Sequence, residues 1–343
     1  FRRVLFRSQS GKEMLKITRL SAKFDIIPLF NGKITISSVQ LFGFNINLNK
    51  PAPHMEPNFK FVLDAFASKD TVKTKKDIDL RINSILIRRG KLSYDVLSEE
   101  ETPGKFNPQH IKLHNIIANI SLKALQNDSV NAAIKRLSVD EQSGFELRKL
   151  SLKVIANNKG MKIENFAIEM PGTEMKMDTI RMEYDSLKAL NHFADNVRFS
   201  FRTLPSHVTL NDISAFVPAL SNFKEKLDLN IDVEGTLNQL NCRTLEINAG
   251  DKFRLKGDVS LQDLSRPQDA YVYGHLANLS ANKEGIGFLV RNLSPHYNGV
   301  PPVLQHLGNT SFHGEISGYF TDLVMYGLFR TDIGSVQTDL KLS

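Results

Sequence analysis

The sequence contains no tryptophan, a single cysteine and no uninterrupted apolar run of about 18 residues. A lone Cys242 rules out an internal disulfide and reads as an ordinary half-buried strand residue. Without a long apolar run, no helix of this stretch spans a bilayer. Catalytic signatures are missing too. There is no HExxH, no paired CxxC, no EF-hand spacing and no Gly-x-Ser-x-Gly elbow. Gly285-Ile-Gly287 lacks the third glycine of a nucleotide loop. His110 and His114 sit four apart, which on a strand places them about 13 Å apart, too far for one metal. We therefore expect no catalytic residue, no metal, no cofactor and no enzyme activity.

Charge excludes less than it promises. The formal balance is +7, and the basic clusters Lys73–Lys76 and Arg88-Arg89 are short and lack stacking aromatics, so no nucleic-acid partner is expected. Arg2 to Ser8 reads RRVLFRS, the product of a common sequencing adapter translated in one frame. Residues 1–8 are accordingly expected to be foreign to the natural chain, which would begin upstream.

What is abundant is alternation. Ala22 to Lys50 reads as strand, Asn31-Gly32 turn and strand, with Phe42, Phe44, Ile46 and Leu48 separated by Gly43, Asn45 and Asn47. Successive strand side chains point to opposite faces, so one face is apolar and the other rich in amides. Leu227, Leu229, Ile231 and Val233 alternate in the same way with Asp228, Asn230, Asp232 and Glu234, a face expected to be acidic and solvated. Phe59, Val62, Leu63 and Phe66 carry helical spacing, so Glu56–Ser68 is expected to be a short helix. Further short helices are expected at Ser186–Phe193, Ile213–Phe223 and Glu284–Leu293. A shift of 83 positions matches Val233 with Ile316, Gly235 with Gly318 and Leu240 with Leu323, which points to a repeated β unit over 233–261 and 316–343. The expected fold is mainly β: an elongated, twisted antiparallel sheet with a few short helices. Its expected divisions are a hairpin-plus-helix unit over 9–68, a linker over 69–77 and a β-rich segment over 78–343.

Three stretches carry a family resemblance: Lys23–Lys50, Ser84–Tyr94 and the VEGTLNQL run from Val233 to Leu240. Pro28-Leu29-Phe30-Asn31-Gly32 followed by a Lys-Ile-x-Ile-x-x-Val-x-Leu strand resembles the N-terminal region of AsmA/TamB envelope proteins. The later body is more similar to the TamB branch in its Bacteroidota forms. The resemblance implies an open, apolar β groove that shields phospholipid acyl chains between membranes. It also implies a periplasmic location, an inner-membrane anchor helix upstream and outer-membrane assembly proteins as further partners. Candidate lining residues are Phe42, Phe44, Ile46, Leu48, Leu227, Leu229, Ile231 and Val233. The alternative is a structural or protein-interaction β module, an envelope scaffold or adhesin, whose apolar faces close into a dry core. Burial distinguishes the two.

Overall fold

The computed structural model describes residues 4–7, 13–25, 35–60, 81–122, 129–266, 268–293, 299–320 and 322–342. The protein is mainly β, with a few short helices. It divides into two units: Phe1–Lys153 with Asp212–Pro218, and Val154–Asn211 with Ala219–Ser343. The division falls inside the stretch expected to be one segment. The expected linker at 69–77, the Asn31-Gly32 turn and all but the start of the Glu56–Ser68 helix lie outside the described residues.

The first unit holds β1 (Val4–Arg7), β2 (Glu13–Asp25), β3 (Thr35–Lys50), β4 (Arg81–Ile82), β5 (Ser84–Val96), β6 (His110–Leu122), β7 (Val130–Glu141) and most of β8 (Glu146–Ala156). Neighbouring strands are antiparallel with one exception. β3 runs parallel to β4 and β5, in a register that pairs Val39 with Ile85 and Lys50 with Val96. Sequence alternation cannot show this, because partner direction depends on the crossover joining the strands, here the long connection after Lys50. β1, within the leader expected to be foreign, pairs antiparallel with β2, Val4 opposite Ile17. An open strand edge accepts any extended segment through backbone groups alone.

The second unit is a meander. β9 (Gly160–Glu169) pairs with β10 (Glu174–Lys176) and β11 (Ile180–Glu183). β11 pairs with β12 (Arg198–Arg202), and β10 meets β13 (Ser206–Val208). Both β12 and β13 pair with β14 (Leu227–Thr236). Antiparallel neighbours then follow in chain order: β15 (Gln239–Ala249), β16 (Phe253–Gln262), β17 (Tyr271–Ala281), β18 (Thr310–Tyr319), β19 (Asp322–Thr331) and β20 (Gly334–Leu342). The helical pieces are Leu187–His192 with Phe193–Asn196, Leu210–Ile213, Pro218–Leu220, Lys283–Leu293 and Pro302–Gln305.

The two hairpins related by the 83-position shift are alike in backbone detail. Thr236 pairs with Gln239 and Tyr319 with Asp322, so both hairpins close over two residues. Gly235 and Gly318 precede these turns with φ of +139° and +129°. A Cβ on either would collide with a backbone oxygen, of Gln239 and of Asp322 respectively. Only glycine fits both constraints, which is why it marks the repeat. Beyond that hairpin the copies diverge. Ala249 and Phe253 close a three-residue turn, whereas Thr331 and Gly334 close a two-residue one.

Candidate functional site

The apolar face of the first unit is built by an inversion of strand alternation. Gly43, Arg89 and Asn115 have φ of +63°, +54° and +53°, in the left-handed region. Gly43 and Arg89 lie level in the β3–β5 ladder, between the pairs Phe42–Arg88 and Asn45–Lys91. Asn115 lies where the β5–β6 register shifts near Gly90. Asparagine tolerates this conformation better than most residues, and glycine has no penalty there. Arg89 carries it with its guanidinium over the Phe42 ring, 5.3 Å from the centroid.

The effect on the faces follows from pairing. Above the left-handed row, Leu20, Leu41, Ile87 and Ala118 stand opposite one another across β2, β3, β5 and β6. Below it, Ile17 pairs with Phe44, Ile46 with Leu92, and Leu92 with Leu113. A Cβ on Gly90 would land in the Phe44 ring and 3.0 Å from the Cβ of Ile116. Ile116 shares its face with Ala118, so Phe44 shares a face with Leu41. The aliphatic residues thus move from odd to even positions along β3, and the face stays continuous across the inversion. In β2, β3 and β6 the signal is an apolar spacing of three: Ile17 to Leu20, Leu41 to Phe44, Leu113 to Ile116.

Phe42 is therefore not on the apolar face. It pairs with Arg19 and Arg88, is 39% exposed, and lines a cavity of about 900 Å³ with Thr18, Gln40, Leu41 and Leu86. Strict alternation placed it beside Phe44; the left-handed Gly43 separates them. Phe44, Ile46 and Leu48 keep the expected face. Of the apolar face, Ile17, Phe44 and Ala118 are buried, while Leu20, Leu41, Ile46, Leu48, Ile85, Ile87 and Leu92 are half-buried.

The second unit treats its apolar face differently. Leu227, Ala249, Phe253 and Ala281 form a buried cluster with Ile286 and Phe288 of the Lys283–Leu293 helix. Phe288 stands 5.8 Å from Phe223, edge to face, and 6.5 Å from Phe253. Asn282 caps the helix, its Oδ1 accepting from Gly285 N at 2.8 Å. Gly285 is required for close packing, since a Cβ would strike the Lys252 carbonyl. Leu227 is consequently buried in this cluster and Leu229 packs against it. Ile231 is half-buried, and Val233 is buried in the row Phe201–Val233–Cys242. Alternation cannot show that a helix more than 50 residues later packs over Leu227 and Leu229.

The face carrying Asp228, Asn230, Asp232 and Glu234 is not simply solvated. Asp232 is buried and accepts from Arg202 at 2.7 Å and Arg243 at 2.9 Å, while Glu234 accepts from Arg198 and Arg243. A bulge, marked by the register shift between Asp232 and Val233, leaves Arg243 outside the ladder and aims it at both acids. Hydrogen bonds from Arg202 and then Arg243 hold the Asp232 carboxyl below its ordinary value. Cys242 is a buried free thiol, and burial pushes its pKa upward.

His110 and His114 go separate ways. His114 lies 3.9 Å from Asp140 and is exposed. His110 is 4% exposed, its Nδ1 3.1 Å from Asp95 Oδ1 and its Nε2 3.0 Å from the Glu99 carbonyl. No family model, curated protein or solved structure matches the chain.

Proposed function

We propose that this chain is a non-enzymatic segment of an AsmA/TamB-type lipid-transfer protein of the bacterial envelope, shielding phospholipid acyl chains on an apolar β surface. On this reading the parent protein crosses the periplasm from an inner-membrane anchor and meets outer-membrane assembly proteins. The observation that carries it is the aliphatic face of the first unit, kept continuous through an inversion of alternation yet left half-buried. A sandwich interior would bury such residues against a second layer. An aliphatic wall binds acyl chains without discriminating among them, each CH₂ removed from water contributing about 0.8 kcal/mol. Such a wall suits carriage of many lipid species.

Lipid co-purification read by mass spectrometry, with photoreactive residues at Ile46 and Ile231, tests this. Crosslinked phospholipid at Ile46 is the expected result; no lipid at either position in cells would overturn the reading. The helix-covered cluster around Phe288 favours a second reading for the second unit, a closed interaction module with no ligand there. A crosslink to protein alone at Ile231 would fit that reading.

A further inference from the structure

We propose that Asp95, Glu101 and His110 form a divalent-metal site of the zinc class at one end of the β5–β6 ladder. Asp95 and His110 are direct cross-strand partners, which sets their side chains on one face. Glu101 enters from the loop joining the two strands. Ligand atoms of all three lie within 4.8 Å of one another.

The imidazole carries the argument. The Glu99 carbonyl can only accept, so His110 Nε2 must be the donor of that 3.0 Å contact. In a neutral ring Nδ1 then presents a lone pair to the Asp95 carboxylate at 3.1 Å, acceptor facing acceptor. Such an arrangement needs a cation between the two, either a proton or a metal. A histidine whose second nitrogen donates to a backbone carbonyl is also how proteins orient metal-ligating imidazoles. The 3.1 Å separation approaches the edge of a tetrahedron with ligand bonds of about 2.0–2.2 Å. One imidazole and two carboxylates suit zinc rather than calcium or magnesium, which take oxygen ligands.

Glu101 is poised to complete the set. Its side chain is 55% exposed and ion-paired with Lys112 at 2.8 Å, so binding would draw it away from Lys112. Binding would tie down the 97–109 loop, whose Phe106 packs 4.8 Å from Phe216 within the same unit.

The test is calorimetric titration of the metal-stripped full chain with zinc alone, with long-range ¹H–¹⁵N spectra of His110. One equivalent should bind with micromolar or tighter affinity and shift the Nδ1 resonance. Asp95→Asn and Glu101→Gln should each weaken binding by about tenfold or more. His114→Gln should leave it unchanged. Binding that survives Asp95→Asn and Glu101→Gln would overturn the site. So would a doubly protonated His110 ring that persists in excess zinc, because a proton would then be the bridging cation.

Discussion

The two units dispose of the same kind of apolar strand surface in opposite ways. In the second, the Lys283–Leu293 helix lies over Leu227, Phe253 and Ala281, and a small dry core results. In the first, an aliphatic face is for the most part only half-buried. Covering a face yields stability; leaving it open leaves surface for something else to bury. In the first unit the Phe44 ring of β3 fills the space above Gly90 on the neighbouring β5. In the second, Gly314 lets the β19 backbone approach, since a Cβ there would strike the Tyr326 carbonyl.

The largest effect should come from emptying the covered face. Phe288→Ala removes a ring wedged between Phe223 and Phe253, and we expect a loss of about 3–5 kcal/mol in urea unfolding. Ile87→Ala on the first unit's face should cost less, about 1–3 kcal/mol, because that side chain is only partly buried. Equal costs would erase the contrast between the units.

Gly90→Val would drive a side chain into the Phe44 ring and should cost about 1–3 kcal/mol. Co-substitution with Phe44→Ala should recover part of that loss. No recovery in the double variant would mean that backbone strain, not the ring, sets the requirement for glycine.

Gly235→Ala and Gly318→Ala should destabilise by similar amounts, about 1–3 kcal/mol each, since both violate the same φ and strike the same kind of carbonyl. Thermal midpoints of the two single variants check this. A large disparity would reduce the repeat to a coincidence of spacing.

Asp232→Asn should have the smallest effect, about 1 kcal/mol near neutrality, because Arg202 and Arg243 are more than half exposed. The folded carboxyl is held below its unfolded value of about 3.9. Its contribution is thus present above that value and disappears as pH falls through the lowered folded one. Stability curves of the two proteins should converge in acid and separate above about pH 4. A constant gap at every pH would assign the effect to packing.

Much of this was legible in the sequence. Period-two alternation identifies β14 and the lower half of β3, and helical spacing finds the Lys283–Leu293 helix to within a residue. Glycine spacing finds the two matched hairpins. What alternation missed is the sign of φ. Strict counting through Gly43 put Phe42 on the apolar face, although the three-residue steps at Ile17–Leu20 and Leu113–Ile116 recorded the inversion in neighbouring strands. The parallel β3–β5 pairing, the arginines around Asp232 and the approach of Glu101 to His110 depend on strand register, which no local pattern carries.

The most direct test compares two positions on one strand, Phe42 and Ile46 of β3. A photoreactive residue at Ile46 should crosslink to phospholipid in envelope membranes, and one at Phe42, on the opposite face, should not. Equal lipid labelling at both positions, or none at Ile46, would contradict an open acyl-chain surface on the first unit.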